Sequence, residues 1–260
     1  MANRELYQTL ADRLWAAEKN TTAVEPLSLD YPELTLEDSR EIQLINIRRR
    51  VAMGHRIVGK KVGATNQVMR DLLNLKEPVM GYLLSDIIKD QNEVIERSSQ
   101  INPFVECEMC FVMGERLEGP NVHPYDVLRC AAGVMPAMEI PDLRIKGEKN
   151  MVDALADNVY NGYLVVGDTM ADVRGLDFAN LPVTLFKNNV VACSSSSSAA
   201  MGNPLYVVAW LANKLAGYGE CLEKGDIVIT GSLNPAVYID AGDVFVADFG
   251  PLGTVKAMFK

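Results

Sequence analysis

The stretch Pro103-Phe104-Val105-Glu106-Cys107-Glu108-Met109-Cys110-Phe111-Val112 places two glutamates inside an apolar run. Such a run is typical of a β-strand, whose successive side chains point to opposite faces of the sheet. The alternation predicts that Glu106 and Glu108 lie together on one face and that Val105, Cys107, Met109 and Phe111 share the other. Neighbouring carboxylates repel each other and are costly to desolvate, so a cation beside them would stabilise this arrangement.

A third glutamate lies in a second apolar run, Val134-Met135-Pro136-Ala137-Met138-Glu139-Ile140. Hard divalent cations prefer oxygen ligands, and carboxylates supply them. The pattern therefore raises the hypothesis that Glu106, Glu108 and Glu139 hold one metal ion. A charged, solvent-facing side of an antiparallel sheet is the alternative that the pattern leaves open.

Two further segments contain candidate functional groups. In Val58-Gly59-Lys60-Lys61-Val62-Gly63, alternation places the two lysines on opposite faces, so one of them can point inward. An inward lysine beside an oxyanion can stabilise it or move a proton, whereas two surface lysines on an edge strand are the alternative. The segment Thr230-Gly231-Ser232-Leu233 either offers backbone N–H groups to a substrate carboxylate or forms a plain turn.

Composition excludes several classes of protein. The chain has 260 residues, is 48% hydrophobic and carries a net charge of −9, which suits one domain with a sizeable core and argues against a nucleic-acid partner. We find no apolar run of membrane-spanning length and no signal-peptide pattern, so the sequence predicts a cytoplasmic protein with no membrane partner. Five cysteines without a secretion signal indicate reduced thiols, and two histidines are too few for a typical zinc site.

The chain divides into a helical first part, residues 1–55, and a β-rich core, residues 56–260, within one structural unit. Leu6, Leu10 and Leu14 form one helical stripe, and Thr35 with Asp38 forms a capping-box pattern before a second helix. Later segments predict a helix over 67–75, a helix that begins after Asn203 and Pro204, a mobile loop over 194–198, and strands over 57–62, 164–166, 183–186, 227–229, 244–246 and 255–259. Because strands and helices do not alternate regularly, the predicted class is α+β with a mixed β core.

Taken together, these motifs resemble the 2-hydroxypenta-2,4-dienoate hydratase and 4-oxalocrotonate decarboxylase family within the fumarylacetoacetate hydrolase superfamily. The resemblance runs nearly from end to end of the chain. The matching segments are Ile57 to Gly63, Glu77-Pro78 with Gly81, Glu106-Cys107-Glu108, Pro136 to Glu139, Ala156-Asp157-Asn158, Gly202-Asn203-Pro204 with Ala209 to Ala212, Gly225-Asp226-Ile227 and Gly231-Ser232.

The resemblance implies a mixed β-roll, barrel-like core in which the three glutamates hold Mg²⁺ or Mn²⁺. It implies a small 2-oxo or 2-hydroxy acid as substrate and proton transfer or charge stabilisation by Lys61. Asp142 and Arg144 match a charged pair that would order the site, and the resemblance implies that they are catalytic residues together with Lys61. The expected enzyme is a metal-dependent lyase and first of all a hydratase, with decarboxylation, tautomerisation or C–C cleavage on the same site as alternatives. Family members are homo-oligomers, and hydratase and decarboxylase associate with each other, so a non-catalytic partner subunit is the alternative of a different class.

Several residues depart from the family pattern near the inferred site. Phe104 stands where Arg or Lys is usual, Leu143 where a small residue is usual, and Val159-Tyr160 replaces a small pair. Ser195 and Ser197 replace glycines in a later loop. We therefore expect Phe104, Leu143 and Tyr160, together with Ser232, to contact a substrate with a different or more apolar tail than the smallest dienoate.

Overall fold

The computed structural model describes residues 2–72, 74–148 and 150–260. Its α-helices are α1 (Ala2–Lys19), α2 (Leu27–Asp30), α3 (Leu36–Ala52), α4 (Gln67–Leu72), α5 (Pro124–Cys130), α6 (Met151–Ala156) and α7 (Pro204–Ala216). Its strands are β1 (Ile57–Gly63), β2 (Val79–Leu84), β3 (Ile88–Asp90), β4 (Val94–Ile95), β5 (Phe104–Met113), β6 (Ala131–Ile140), β7 (Tyr163–Val166), β8 (Pro182–Lys187), β9 (Val190–Ser196), β10 (Ile227–Ile229), β11 (Val237–Tyr238), β12 (Val244–Asp248) and β13 (Thr254–Phe259).

The strands form two sheets whose facing sides enclose the main core. The larger sheet has the order β2-β1-β10-β5-β6-β7-β3, with β11 paired to β5, and the smaller has the order β4-β13-β12-β8-β9. Parallel pairs, such as β1 with β10, occur beside antiparallel pairs, such as β5 with β6. The larger sheet curls into a half-barrel with helices beside it, so the predicted α+β class with a mixed β-roll core is confirmed.

Strand β5 shows the predicted alternation. Val105, Cys107, Met109 and Phe111 are fully buried in the main core with Phe245 of β12. Cys110 packs on the other side of the strand with Ala137 and Leu164, so the thiols of Cys107 and Cys110 face opposite ways. All five cysteines are free thiols. This strand therefore separates a hydrophobic face from a face that is available for chemistry.

The N-terminal helices pack on a second, smaller core. Leu10, Leu14 and Ile42 are buried there against Ile145 and Ala156 from the later part of the chain. The predicted capping box is present, because Thr35 Oγ1 accepts from Asp38 N at 3.2 Å and Asp38 Oδ2 accepts from Thr35 N at 2.8 Å. Across the described ranges we find no helix with the length and apolarity needed to cross a membrane.

The structure corrects the loop expected over 194–198 and shortens the helix expected over 67–75. Ser194, Ser195 and Ser196 do not form a loop but complete β9, where Ser195 pairs with Val183 and Ser196 with Pro182. Hydrogen bonds to the backbone of β8 hold these serines in the sheet, although a run of serines on its own is typical of a loop. The helix expected over 67–75 is α4 and ends at Leu72, while Leu73 lies outside the described residues.

Candidate metal centre

The antiparallel pairing of β5 and β6 brings the three glutamates together. Glu106 lies directly opposite Glu139, and Glu108 follows two residues further along β5 on the same face. One carboxylate oxygen from each glutamate lies within 4.8 Å of the others. Glu108 and Glu139 are each 1% exposed, and Glu106 is half-buried. The donor set is oxygen only, which fits a hard divalent cation such as Mg²⁺.

Lys61 reaches the same face from β1. It pairs with Ile229 of β10, and Ile229 pairs with Cys110 of β5, so the register places Lys61 on the side of the sheet that carries the glutamates. Its ammonium group forms an ion pair with Glu139 and donates to the main-chain carbonyl of Val159 at 2.8 Å. With a side chain only 3% exposed, Lys61 points inward rather than into solvent.

Glu108 is held by a backbone donor rather than by a side chain. The Gly231 N–H donates to Glu108 Oε2 at 2.7 Å. Gly231 has φ +87°, and a Cβ there would lie 2.3 Å from Thr65 Oγ1, so glycine is required by both backbone and space. The sequence left open whether this segment offers N–H groups to a substrate carboxylate or forms a plain turn, and in the structure the Gly231 N–H is bonded to Glu108.

The cluster carries more negative than positive charge. Burial, and then the neighbouring Glu139 carboxylate, raise the pKa of Glu106 to about 7. The same causes, with Glu106 added, raise the pKa of Glu108. Three carboxylates and the Lys61 ammonium leave a formal charge of −2, which a bound divalent cation would neutralise.

The other two residues proposed for catalysis have partners outside the cluster. The Asp142 carboxylate accepts from the backbone N–H groups of Ile101 and Asn102 at 2.9 and 2.8 Å. The Arg144 Nε donates to both carboxylate oxygens of Asp157, at 2.9 and 3.0 Å. These contacts tie the segment after β6 to neighbouring loops, so they favour an ordering role for the pair over direct contact with a substrate.

The predicted substrate-binding residues divide into two groups. Phe104 shares the face of Glu106 on β5, and its ring centroid lies 5.9 Å from that of Tyr238 on β11. The Ser232 hydroxyl donates to the main-chain carbonyl of Asn234 at 2.7 Å, and its proximity to Glu106 acts to lower the pKa of that carboxyl against the larger effect of burial. Tyr160 instead packs on the small core of the N-terminal helices, and the Leu143 N–H donates to the carbonyl of Asn102 at 3.3 Å.

Sequence reasoning missed two features of the site. One is the Val159 carbonyl, because a main-chain acceptor has no side-chain signature, although the motif Ala156-Asp157-Asn158 lies directly before it. The other is Thr230, whose hydroxyl is buried without a hydrogen-bond partner among the described residues. A buried orphan hydroxyl next to Gly231 indicates a polar partner that is supplied from outside the chain.

Comparisons with known proteins agree with this geometry. The 2-hydroxyhexa-2,4-dienoate hydratase of Comamonas testosteroni is 34% identical over 262 residues, covering 100% of this chain and 99% of that protein. A 4-oxalocrotonate decarboxylase of Pseudomonas putida is 32% identical over 258 residues, covering 99% of this chain and 98% of that protein. The relatives thus include two kinds of lyase, hydratases and decarboxylases, which act on small organic acids.

Solved structures and the family profile lead to the same assignment. The structure of 4-oxalocrotonate decarboxylase from Pseudomonas putida G7, complexed with magnesium and adipate, superposes with a TM-score of 0.95 at 31% identity, covering 99% of this chain and 98% of that one. A second structure of that enzyme contains calcium and acetate. The profile of the fumarylacetoacetate (FAA) hydrolase C-terminal family matches residues 50–260. The chain therefore belongs to the fumarylacetoacetate hydrolase family, as its motifs suggested.

Proposed function

We propose that the protein is a divalent-metal-dependent hydratase that acts on a 2-hydroxy-2,4-dienoate or the corresponding 2-oxo acid. The observation that carries this proposal is the buried cluster of Glu106, Glu108 and Glu139 with the Lys61 ammonium beside it. Relatives that are hydratases, among them the 34% identical enzyme, cover the full chain and support hydration as the reaction. The metal-binding residues are the three glutamates, and the ion is Mg²⁺ or Mn²⁺.

In this proposal, each part of the site has a chemical role. The three carboxylates hold the ion, which when bound supplies Lewis-acid stabilisation of negative charge on a substrate oxygen. Lys61 holds a proton next to Glu139 and can transfer it to the substrate. The low exposure of Lys61 and Glu139 keeps bulk water from these polar groups, which strengthens their interactions with a bound acid.

Phe104 supports a substrate whose tail is uncharged. Its ring lies on the face of the glutamates and packs beside Tyr238, so it offers an apolar surface at the end of the carboxylate row. A carboxylate-terminated tail would lose hydration there without gaining a cation from this residue. We therefore expect an alkyl-tailed dienoate, such as 2-hydroxyhexa-2,4-dienoate, to be a better substrate than 2-hydroxypenta-2,4-dienoate or a dioate.

The test is to measure kcat/KM with Mg²⁺ for these three kinds of substrate, following the loss of dienol absorbance. One additional methyl group in an apolar pocket is worth about 10- to 200-fold in kcat/KM. The Phe104→Arg variant should lose that preference and gain activity on the dioate. Equal or faster turnover of the unsubstituted dienoate by the unaltered protein would refute the apolar-tail proposal.

A separate experiment tests the metal site without any substrate. In the Glu106→Gln, Glu108→Gln double variant, calorimetry should detect no Mg²⁺ binding, because two anionic ligands are lost while side-chain volume is nearly preserved. The variant Glu115→Gln is a matched control, since this glutamate lies beyond β5 and outside the cluster. Unchanged Mg²⁺ affinity in the double variant would rule out the three-glutamate site.

Decarboxylation is the second candidate reaction. The observation that favours it is the TM-score of 0.95 to a decarboxylase whose structure contains magnesium and adipate. Release of carbon dioxide from 4-oxalocrotonate, measured in parallel with the dienol assay, distinguishes the two reactions. Carbon dioxide release without hydration of any dienoate would replace the hydratase proposal by this one.

A further inference from the structure

The segment that follows α6 contains three consecutive residues in left-handed backbone conformation. Asn158, Val159 and Tyr160 have φ values of 51°, 54° and 56°. This conformation is uncommon outside glycine, and it is most costly for a β-branched residue such as Val159. Strain of this kind persists only where surrounding contacts enforce it, and it concentrates at functional sites.

The Asn158 side chain supplies the enforcing contacts. Its Oδ1 accepts from Tyr82 N at 2.8 Å and from Gln43 Nε2 at 3.0 Å, and its Nδ2 donates to Tyr82 O at 2.8 Å. Tyr82 belongs to β2, which pairs with β1 next to Lys61. The Asn158 side chain therefore links the turn to β2, the strand beside Lys61, by bonding both the N–H and the C=O of Tyr82 as a neighbouring strand would.

Two glycines make room for this arrangement. A Cβ at Gly81 would lie 2.8 Å from Asn158 Oδ1 and 2.9 Å from Lys61 Cγ. A Cβ at Gly63 would lie 2.8 Å from Val159 Cγ1. The absence of side chains at Gly63 on β1 and Gly81 on β2 thus allows the turn to pack directly against these strands, with Asn158 close to the Lys61 side chain.

The turn presents one group to the lysine, which is the Val159 carbonyl. An ammonium group has three N–H donors. Among the described residues, Lys61 gives one to Glu139 and one to Val159 O, so the third remains for a substrate atom. Fixing two donors defines where the third can point, which is the requirement for efficient proton transfer in a buried site.

We propose that Asn158 is a positioning residue for Lys61, because it anchors the left-handed turn whose Val159 carbonyl holds the Lys61 ammonium beside Glu139. The proposal rests on the proposed function only in assigning Lys61 to proton handling. Asn158 itself does not contact the substrate and acts through the turn.

The first test reads the lysine directly in metal-free protein. A brief pulse of acetic anhydride, followed by site-resolved mass spectrometry, measures how readily each lysine is acylated. The Asn158→Ala variant should raise acylation at Lys61 by about 10-fold, the factor expected from losing a hydrogen bond to a charged group. Lys187, in the other sheet, is the internal reference and should not change.

The matched control is Asn161→Ala. Asn161 lies in the same segment and is 8% exposed, but its side-chain oxygen has no partner among the described residues. Increased Lys61 acylation in the Asn158 variant alone supports positioning. Equal acylation in both variants, whether raised or unchanged, overturns it. Should Asn158→Ala not fold, Asn158→Gly removes the same side-chain bonds and accepts the left-handed φ, and the same criterion applies.

The second test is a double-mutant cycle on turnover. Asn158→Ala should lower kcat by about 100-fold, on the order of the effect of a 1 Å misplacement, while KM changes little. In a Lys61→Met background the same substitution should have no further effect on kcat, because the positioned group is absent. If the loss of kcat in the double variant equals the product of the losses in the two single variants, Asn158 acts independently of Lys61 and the proposal is overturned. If no dienoate is turned over, the acylation result still decides the positioning, and only the proposed function fails.

Discussion

At the scale of single residues, the raised pKa of Glu106 makes metal binding dependent on pH. Burial and the Glu139 carboxylate raise this pKa to about 7, and a cation must displace the proton that Glu106 carries below that value. We expect Mg²⁺ affinity to fall by up to about tenfold for each pH unit below about 7. Calorimetry in two buffers of different ionisation enthalpy should show more proton release on Mg²⁺ binding at about pH 6 than at about pH 8.

The raised pKa of Glu106 also determines how the stability of the metal-free protein changes with pH. The folded state keeps the Glu106 proton up to about pH 7, whereas the unfolded chain releases it near the ordinary value of 4.5. The folded state therefore binds more protons in this range, and stability falls as the pH rises through it. Mg²⁺ should cancel the fall. Metal affinity that does not change between about pH 6 and pH 8 would contradict the shift.

How far individual residues can be predicted from sequence depends on the kind of atom involved. Strand alternation was enough to place Glu106 and Glu108 on one face, and the structure places Glu139, the third glutamate of the hypothesis, opposite Glu106. The partners of Glu108 and Lys61 were not predictable in this way, because they are the main-chain N–H of Gly231 and carbonyl of Val159. Main-chain groups are common to all residues, so only the backbone path reveals them.

At the scale of elements, Asp153 links the N-terminal helices to the segment that precedes the site. It accepts from Asn150 N at 3.1 Å as part of the cap of α6, and also from Ser28 N at 3.0 Å and Ser28 Oγ at 2.6 Å on α2. Asp153→Ala should lower the free energy of unfolding by about 2–3 kcal/mol, because it removes a cap and also the two hydrogen bonds from the partly buried Ser28. Urea unfolding measures the loss.

Asp126 provides the control for this prediction. It occupies the same third helical position in the capping box of α5 and accepts from His123 N at 3.0 Å, but it makes no link to another element through that bond. Asp126→Ala should cost only about 1 kcal/mol, the usual value of a cap. Equal losses in the two variants would show that the link from Asp153 to Ser28 adds nothing.

The helices and strands also show where local patterns are sufficient. Asn203 caps α7 through a 2.9 Å bond to Leu205 N and Pro204 begins the helix, as their residue types predict. Ser194 to Ser196 were misread because their β conformation is set by hairpin pairing with β8 across the Asn188-Asn189 turn, while serine itself is not a strand-favouring residue. Helices with their own start signals and strands with apolar residues were thus predictable, whereas the polar end of β9, which has neither, was not.

At the scale of the whole molecule, the division into residues 1–55 and 56–260 remains a prediction that unfolding can test. The small core mixes both parts, since Leu10, Leu14 and Ile42 pack on Ile145 and Ala156. Trp15 lies on α1 and Trp210 on α7, so each part carries one fluorescent reporter. Fluorescence of Trp15→Phe and Trp210→Phe variants should give coincident urea transitions, as expected for one cooperative unit.

Replacing a tryptophan can itself change the stability of the protein, so the urea transitions of two different variants are not compared directly. Each single-tryptophan variant is also followed by far-ultraviolet circular dichroism, which reports all helices and strands together. Coincidence is judged between fluorescence and dichroism within one variant. A Trp15 signal that is lost at a lower urea concentration than the dichroism signal would establish two units of different stability.

The two-sided character of β5 has a consequence for how such enzymes diversify. One side of the strand maintains the fold through Val105, Cys107, Met109 and Phe111, and the other carries the acidic residues together with Phe104. Mutations at Phe104 or at the acidic residues therefore leave the main core unchanged, whereas Cys110 on the same side is fixed by its packing with Ala137 and Leu164. A duplicated gene can then acquire a new substrate or reaction while its product still folds. A hydratase that is 34% identical to this chain and a decarboxylase that is 31% identical to it are relatives of the kind that this separation permits.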